Sequence, residues 1–357
     1  MQSGWRYPAD SNARNVSYVR RRLADVPATT PETGPASDRT NTGPSRRRGL
    51  AAGVAAYVLW GATPGFWALV DQAGAVEILA HRLAWTLVLM ALVCLLLGRL
   101  SALRGLGPRR WALIAVAAIL IAVNWGVYIY AVLTERVIEV SLGYYINPLL
   151  SVLLGVMVLG ERLRRMQWIA LGVAVVAVLV VTLDYGRLPV IALVVASSFA
   201  VYGLLKKTVP LDSLNSLTAE SMVLAPFAVA YLVWLQVTGA ATFLVDGPLH
   251  SALLVAAGPV TALPLLLFGF AAQRIPLTVM GMLQYLAPTL QLLWAVLIAH
   301  EPMPVSRWIG FALVWLALAV FSIDAMRTAR RAGAPTPDAA TAARRQTEST
   351  VSRPDQL

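Results

Sequence analysis

Charged residues are scarce in this sequence, and cysteine is almost absent. Charged side chains make up only 13% of the 357 residues, against roughly a quarter in soluble domains. The single cysteine, Cys94, excludes disulfides within the chain, cysteine-cluster metal sites and CxxC redox chemistry. The histidines His81, His250 and His300 are too scattered for a metal site, and no GxxxxGK[ST] loop is present to bind ATP. We therefore expect neither an enzyme nor a protein with a metal or another cofactor.

Apolar residues dominate what remains. They make up 58% of the chain, and the mean hydropathy is +0.68. Windows without charge, each long enough to cross about 30 Å of hydrocarbon, follow one another at short intervals. This pattern predicts an all-α polytopic membrane protein embedded in a lipid bilayer. The ten helices are expected near residues 50–70, 77–98, 111–133, 138–160, 166–183, 188–206, 217–238, 250–272, 277–299 and 307–325.

The net charge of +11 is distributed between the apolar runs and does not form one basic face, so nucleic acid is not an expected partner. Alternate connections are rich in lysine and arginine, whereas the other set carries only Arg136, Arg187 and Arg307. Positive residues accumulate on the cytoplasmic side of membrane proteins. We therefore expect a multi-pass protein of the cytoplasmic (inner) membrane with both termini in the cytoplasm.

The two ends of the chain differ from its middle in composition. Residues 1–48 are rich in Pro, Ser, Thr, Asn and Arg, and residues 327–357 are rich in Ala, Thr, Arg and Pro. Such segments bury too little apolar surface to fold, so both are predicted to be disordered cytoplasmic tails. The first tail lacks the apolar core of a cleavable signal peptide, so the first membrane helix is expected to direct insertion.

One pattern occurs twice in the apolar region, at one constant spacing. The recurring residues are Tyr145, Pro148, Glu161, Trp168, Ile169 and Asp184 in the first copy and Tyr285, Pro288, Glu301, Trp308, Ile309 and Asp324 in the second. Duplicated apolar halves are typical of transporters built from structural repeats, whose substrate sites lie where the repeats meet. We therefore divide the chain into two five-helix repeats, 49–184 and 185–326.

The two copies differ sharply after the shared glutamate. Arginines follow Glu161 at positions 162, 164 and 165, whereas Pro302, Met303, Pro304 and Val305 follow Glu301. Five helices per repeat is an odd number, so the second repeat enters the membrane inverted, and its equivalent loop faces the side where positive charge is disfavoured. The charge pattern and the repeat therefore predict the same inverted topology.

Several stretches of the sequence resemble a known family. The first half ends in GYYINPLLSVLLGVMVLGERL and the second in QYLAPTLQLLWAVLIAHEP; WGATPGFW (60–67), EILAHRLAW (77–85), NWGVYIYAV (124–132) and SLGYYINPL (141–149) are equally distinctive. With them the chain resembles the drug/metabolite transporter superfamily and, more narrowly, the EamA-type permeases of the RarD (chloramphenicol-sensitive protein) group. The resemblance covers about residues 49–326. It implies ten helices, an inner-membrane location and alternating-access transport, with export favoured over uptake.

Two polar stripes are candidates for the substrate path. They comprise Tyr144, Asn147, Pro148 and Ser151 on the fourth helix and Gln284, Pro288 and Gln291 on the ninth. Each proline removes the amide that would bond the carbonyl four residues earlier, and a freed carbonyl at membrane depth needs another partner. We expect the stripes to line a central cavity and to face each other across it. The alternative is that they pack helices together.

Aromatic residues supply a second candidate lining. Trp125, Tyr128 and Tyr144, together with Trp60 and Tyr202, would offer apolar faces with a few polar donors, and Asn124 shares a helix face with Tyr128. Such a cavity suits a neutral or amphipathic aromatic solute. The alternative is that these rings anchor the protein at the membrane interface.

Three ionisable residues fall inside predicted helices and are candidates for coupling. His81 and Arg82 are expected about one turn inside the outer end of the second helix, and Glu220 about one turn inside the cytoplasmic end of the seventh. A histidine titrates near neutrality, and a carboxylate in a low-dielectric site can be shifted toward it. The alternatives are snorkelling for Arg82 and a solvated helix end for Glu220.

Glu161 and Glu301 are expected to have a structural role. Each ends a helix just before the loop to the next one, where a carboxylate can cap the N-terminus of the following helix. Glu161 can also reach Arg164 or Arg165 across one turn.

Taken together, these features predict a secondary active transporter that moves a small organic metabolite or drug by alternating access, as a monomer or homodimer. The alternative is a channel or facilitator for a small neutral solute, because apolar helices with polar stripes also form pores. The loops are too short for a selectivity loop, which favours the transporter.

Overall fold

The fold of the chain is known from a computed structural model that describes residues 43–98, 103, 105–159, 163–206 and 211–332. The described residues form helices and contain no strand. In chain order the helices are α1 (Gly43–Ala68), α2 (Gly74–Leu96, preceded by a 3-10 turn at Asp71–Ala73), α3 (Pro108–Leu133), α4 (Val137–Leu154), α5 (Arg165–Tyr185), α6 (Val190–Lys206), α7 (Ser213–Thr238), α8 (Pro248–Ala272), α9a (Leu277–Leu283), α9b (Leu286–Leu297) and α10 (Val305–Ala332).

Most of these helices are long enough to cross a membrane. Nine spans within the described residues combine sufficient length with high hydropathy, and α6 is a shorter apolar helix. Large apolar side chains such as Leu183 (82% exposed) and Phe227 (74% exposed) cover the outside of the bundle, which is the surface that lipid would cover. The predicted all-α polytopic fold is confirmed.

The first and last helices extend into the regions that the composition assigned to the tails. Helix α1 begins at Gly43 and has Pro44 in its first turn, where the missing amide of proline costs no hydrogen bond. Helix α10 continues to Ala332 through alanine and arginine, which are strong helix formers. The rest of both predicted tails lies outside the described residues.

The ninth span is interrupted, although one continuous helix was predicted over 277–299. Helix α9a ends at Leu283, and α9b starts at Leu286. The ring of Pro288 clashes with the carbonyl four residues earlier, which belongs to Gln284, so the break occurs where proline disfavours the helix. Pro148 occupies the equivalent place in α4, yet that helix runs unbroken from Val137 to Leu154 and continues as π-helix over 155–159.

If α1–α5 correspond in order to α6–α10, the main contacts between two helices have counterparts between the two corresponding helices. Helix α4 packs on α6 as α9b packs on α1, α3 packs on α6 as α8 packs on α1, and α3 packs on α7 as α8 packs on α2. Equivalent helices also contact each other, in the pairs α5 with α10, α2 with α7, and α4 with α9b. This arrangement is what two structural repeats would produce; the repeat boundaries 49–184 and 185–326 stay predictions.

Ion pairs at both ends of α5 and α10 show that these two helices run in opposite directions. Asp184, at the end of α5, accepts hydrogen bonds from Ser306 Oγ and, at 2.7 Å, from Arg307 Nε at the start of α10. Arg164, at the start of α5, lies 3.9 Å from Asp324 in the last turns of α10. Opposite directions are required of equivalent helices in inverted repeats.

Gly143 permits the closest approach between α4 and α6. A Cβ atom built on Gly143 would lie 2.6 Å from the carbonyl oxygen of Ala192. Real Cβ atoms do not come that close to backbone, so a side chain at this position would force the two helices apart. The first repeat is thereby held directly against α6.

We predict that Gly143→Ala lowers the stability of the protein by about 1 to 3 kcal/mol, because over-packing a tight helix contact displaces backbone. The measurement is the thermal midpoint and the monodisperse yield in detergent. The control is Gly172→Ala in α5, where an added Cβ meets nothing within 4 Å. Equal behaviour of the two variants would contradict this account of the α4–α6 contact.

Candidate functional site

Three buried glutamates lie at one face of the bundle, and each binds backbone amides of a distant segment. We call this the carboxylate face; it carries Glu77, Glu139 and Glu301 with the connections 69–73, 134–136, 186–189, 239–247 and 298–304. Glu301 accepts hydrogen bonds from the amides of Val137 at 2.7 Å and Ile138 at 3.0 Å, which open α4. The expected structural role thus involves a different helix, because Glu301 caps α4 and not the helix that follows it. Glu161 lies outside the described residues.

Glu139 forms the second connection across this face. Its carboxylate pairs with Arg136 at 2.7 Å and with Arg187 at 3.3 Å, and it accepts a hydrogen bond from the amide of Ile191 at 3.0 Å. Ile191 lies in the first turn of α6, so the positive end of that helix dipole also stabilises the negative charge of the carboxylate. The sequence analysis did not single out Glu139; its signal was an acidic residue in the first turn of a membrane helix.

Glu77 forms the third connection. It accepts hydrogen bonds from the amide of Thr242 at 2.9 Å and from its hydroxyl at 3.1 Å, and the same hydroxyl lies 2.8 Å from Nε2 of His250. The connection between α7 and α8 is thereby held against the start of α2. Each of the three glutamates thus joins one predicted repeat to the other.

Arg82 lies deeper in the bundle than the sequence indicated. Helix α2 begins at Gly74, so Arg82 is about two turns from its start instead of one. The residue is only 6% exposed, and its guanidinium carbon lies 3.8 Å from the ring centre of Trp125 and 5.3 Å from that of Trp67. The Arg82 side chain therefore does not extend to the membrane surface.

A hydrogen-bonded wall of α1, α3, α4 and α6 lies beside Arg82. Tyr128 and Thr63 share a hydrogen bond of 2.7 Å between their hydroxyls. The hydroxyl of Tyr144 donates to Oδ1 of Asn124 at 3.2 Å, and Nδ2 of Asn124 donates to the carbonyl of Val195 at 2.8 Å. Asn124 is fully buried and joins α3 to α6.

The aromatic rings predicted as one lining fall into two groups. In one group Tyr144 contacts Tyr128 and Phe199, which in turn contacts Tyr202; in the other, Tyr57, Trp60 and Phe268 contact one another. Trp125 contacts Arg82 and is not in ring contact with either group among the described residues. The groups involve α3, α4 and α6 on one side and α1 and α8 on the other, so they occupy comparable places in the two halves.

The carbonyl of Trp60 accepts one hydrogen bond from within α1 and one from α9b, and the second joins the two helices. Pro64 has no amide to offer the carbonyl four residues earlier, which is that of Trp60. Thr63 Oγ1 donates to this carbonyl at 2.6 Å, and Nε2 of Gln291 donates to it at 3.3 Å. The sequence analysis found the prolines of α4 and α9b but missed this one, whose signal was the same.

Of the two predicted polar stripes, only Pro288 takes part in the hydrogen bonds between α4 and α9b, and it does so through its backbone carbonyl. These hydrogen bonds are one from Ser141 Oγ to the carbonyl of Pro288 at 2.8 Å and one between the hydroxyls of Tyr145 and Thr289 at 2.6 Å. A cavity of about 440 Å³ adjoins them. Its lining includes Tyr145, Met282, Tyr285, Thr289, Trp315 and Ser322.

The other members of the stripes differ in exposure, and only Gln291 among them is buried. Ser151 is exposed and lies 3.5 Å from Oδ1 of Asn147, which is half-buried together with Gln284. Tyr144 points to α3 and α6, and Gln291 points to α1. The two stripes therefore contact neighbouring helices, and their role in lining a cavity stays a prediction.

His81 is enclosed near the carboxylate face. It is 3% exposed, its Nδ1 accepts a hydrogen bond of 3.3 Å from Trp85 Nε1, and its ring lies 4.8 Å from that of Phe243. Its Nε2 has no hydrogen-bond partner among the described residues. One ring nitrogen is therefore engaged and the other is left available.

Glu220 is part of an ion pair near the opposite face. Its carboxylate lies 2.7 Å from Lys206 Nζ and accepts hydrogen bonds from Tyr202 at 3.1 Å and Ser216 at 3.0 Å. At 3% exposure it is not a solvated helix end. The structure thus brings two predicted residues, Tyr202 and Glu220, together with a lysine that the sequence analysis had assigned only to the charge pattern.

The architecture and the site define a class: a polytopic α-helical membrane protein with polar and aromatic residues buried between paired helices. Its sequence places it more narrowly. The profile of the EamA-like transporter family matches residues 47–183. The chain is 52% identical to Protein RarD of Streptomyces exfoliatus over 81% of its length and 92% of that protein, and 40% identical to Protein RarD of Escherichia coli (strain K12) over 80% and 97%.

Two further relatives extend this comparison. The uncharacterized transporter YojE of Bacillus subtilis (strain 168) is 40% identical over 80% of this chain and 96% of its own, and the chloramphenicol-sensitive protein RarD of Pseudomonas aeruginosa is 29% identical over 80% and 96%. One solved chain shares 20% identity with a TM-score of 0.49, which is too distant to inform on the site. The chain belongs to the EamA-like transporter family, as a RarD-like permease of the drug/metabolite transporter superfamily.

We predict that the cap formed by Glu301 makes stability depend on pH. Burial raises the pKa of the Glu301 carboxyl above its ordinary value of 4.5, while the amides of Ile138 and Val137 lower it by less. Because the folded-state pKa lies above the unfolded-state one, stability falls as pH rises between the two values and is level above them. Glu301→Gln does not titrate, so the thermal midpoint of the wild type, relative to this variant, should fall as pH rises from about 4.5. Parallel pH profiles of the two proteins would contradict the prediction.

Proposed function

We propose that this chain is a secondary active transporter that moves a small organic solute across the cytoplasmic membrane by alternating access between two inverted halves. The observation that carries this proposal is the cluster formed by the buried Arg82 and Tyr128 with the half-buried Trp125 and Tyr144. Asn124 joins this cluster to α6 of the second predicted repeat. A cluster of this kind, at membrane depth and where two repeats meet, is where transporters of repeated architecture bind their substrates.

The two faces of the bundle differ, which supports a mechanism with two states. At the carboxylate face, Glu77, Glu139 and Glu301 each hold a segment of the other half, and the Asp184–Arg307 pair is 2.7 Å long. At the opposite face Asp324, the counterpart of Asp184 in the repeat, lies 3.9 Å from Arg164. Inverted halves that exchange conformations would open one face as the other closes.

The unequal behaviour of α4 and α9 supports the same mechanism. Both contain a proline at the equivalent position, yet α4 is continuous there and α9 is interrupted at residues 284–285. One sequence feature with two backbone conformations in one molecule indicates that the energies of the two conformations are close. We propose that the two helices exchange these conformations when the transporter changes state.

The charges of the carboxylate face support its assignment to the outside. Its three arginines are each bound to a carboxylate, Arg136 and Arg187 to Glu139 and Arg307 to Asp184. The opposite face carries further positive residues, for example Arg46, Arg47 and Arg48, which are exposed. Positive residues favour the cytoplasmic side, so both termini are proposed to lie in the cytoplasm. The family resemblance favours export over uptake.

We predict saturable transport of chloramphenicol, a neutral aromatic probe, in proteoliposomes with an imposed pH gradient. The probe is chosen because a relative is named for sensitivity to it. Tyr128→Phe removes the hydroxyl bonded to Thr63 and should lower the initial rate about 2- to 10-fold, the usual effect of losing one buried hydrogen bond. Tyr130→Phe on the same helix is the control, because that side chain is 47% exposed on the outer surface.

Two other outcomes of this assay would count against the proposal. A flux that rises linearly with probe concentration and ignores the gradient would favour a channel or facilitator, because a pore does not pass through a saturable, closed state. Equal rates for the Tyr128 and Tyr130 variants would place the substrate path elsewhere in the molecule.

We further predict that His81→Gln uncouples transport from the pH gradient. Nε2 of the buried His81 has no hydrogen-bond partner among the described residues, and an imidazole nitrogen without a partner is a site that could accept a proton during transport. Glu220 is the weaker candidate for coupling because Lys206 already neutralises it. The readout is the ratio of rates with and without the gradient, which should fall to about one for His81→Gln; the exposed His300→Gln is the control. An unchanged ratio would remove His81 from the coupling mechanism.

A further inference from the structure

A positive charge lies inside the bundle, and the described residues place no counter-charge beside it. Arg82 is 6% exposed in the second span, and no ion pair or hydrogen bond of its guanidinium occurs among the described residues. Its neighbours are the rings of Trp67 and Trp125 and, at longer range, the phenols of Tyr128 and Tyr144. All of these are neutral groups.

The buried carboxylates of the described residues are engaged elsewhere. Glu77 and Glu301 bind backbone amides of the carboxylate face, Glu139 pairs with two arginines, and Glu220 pairs with Lys206. The phenols beside Arg82 are engaged as well, since Tyr128 bonds with Thr63 and Tyr144 donates to Asn124. Among the described residues no buried carboxylate is therefore without a partner, and the hydroxyl oxygens near Arg82, those of Thr86 and Tyr144, are neutral acceptors that do not balance its charge.

Other polar groups near Arg82 also lack partners. Nε of Arg82 and Nε1 of Trp67 are both buried donors without an acceptor among the described residues, and the guanidinium carbon lies 5.3 Å from the Trp67 ring. The hydroxyl of Thr86, one turn further along the same face of α2, is in the same situation. Buried donors are normally bonded, so a group of unbonded ones indicates an acceptor that comes from outside the protein.

The aromatic contacts do not account for a charge at this depth. Stacking of a guanidinium on an indole is a weak interaction compared with the cost of taking a cation out of water. Cations in membrane-spanning segments normally have a counter-charge or mark the path of a substrate. Since the part of the chain that the structure describes places no counter-charge beside Arg82, the second explanation applies.

We propose that Arg82 binds the negative group of the transported solute, and that this solute is a carboxylate monoanion with an apolar or aromatic body. A guanidinium matches a carboxylate through paired hydrogen bonds, and the indole N–H of Trp67 adds a third donor. A single cation among neutral rings suits one negative charge, whereas a phosphate dianion calls for more than one. Trp125 and Tyr144 supply apolar faces for the body of the solute. This inference rests on the proposed transport function and replaces its neutral solute with an anion.

Binding is tested separately from transport, on the purified full-length chain. The probes are indole-3-acetate and 3-phenylpropionate, each compared with its amide, which has the same shape and no charge. The readout is the shift of the thermal midpoint with probe concentration, in detergent and again in nanodiscs of zwitterionic lipid. We expect saturable stabilisation by both carboxylates and none by the amides in both environments. Equal effects of acid and amide would overturn the proposal whether or not any variant folds.

Variants then assign the effect to Arg82. Arg82→Gln should raise the apparent Kd for the carboxylates about 10- to 100-fold, the usual loss for a hydrogen bond to a charged group. Its thermal midpoint without probe should equal or exceed that of the wild type, because an uncompensated buried charge has been removed. Arg82→Lys should retain part of the binding. The control is Arg110→Gln, which removes an exposed positive charge at the start of α3 and should bind as the wild type does.

The outcomes separate this inference from the proposed function. Unchanged carboxylate binding by Arg82→Gln, or stabilisation by anionic lipid in place of the free acids, would overturn the inference and leave transport of a neutral solute standing. Selective carboxylate binding that depends on Arg82, without saturable transport in any gradient, would support the anion site and refute the transporter.

Discussion

The interior of a bilayer offers no water to a polar group, and most features of this structure follow from that constraint. Each polar group between the helices needs a partner in the protein. The carbonyl that Pro64 leaves unbonded is satisfied by Thr63 and, from another half of the chain, by Gln291. Asn124 is buried completely and uses its amide to hold α3 against α6. Arg82 lacks such a partner among the described residues, and we attribute that role to the transported solute.

The same constraint explains the carboxylate face. The first amides of a helix have no partner within the helix, and burying them requires an acceptor. Here the acceptor is in each case a glutamate of the other half: Glu301 caps α4, and Glu139 caps α6. The hydrogen bonds that cap these helices therefore also hold the two halves together. Opening this face would free the amides of Val137, Ile138 and Ile191 together with three buried carboxylates. The cost is lowest when water enters at the same moment, which couples the opening of the face to its hydration.

Local features of the sequence predicted the fold well and the site only in part. Length and hydropathy placed nearly all helices within a few residues, because a span must cross a slab of fixed thickness. The position of Glu301 at the end of a helix predicted a cap on the helix that follows it, and this was wrong. It did not reveal that Glu301 caps α4, because Val137 is far away in the chain. The same proline motif was expected to act alike in both copies, yet only α9 is interrupted, since the surrounding helices decide whether a weakened turn opens.

By itself, the sequence determined the class of protein, the approximate positions of the spans and the family, because each depends on hydropathy or on identity along the chain. Tertiary structure alone decided which polar groups are satisfied. Thr63 meets Tyr128, Trp60 meets Gln291 and Glu220 meets Lys206 only when distant helices pack together. Arg82 looks like a residue that could reach the membrane surface until its depth and its neutral neighbours are known. We infer a binding site at Arg82 because the fold places no carboxylate beside it among the described residues, and only the tertiary structure shows this.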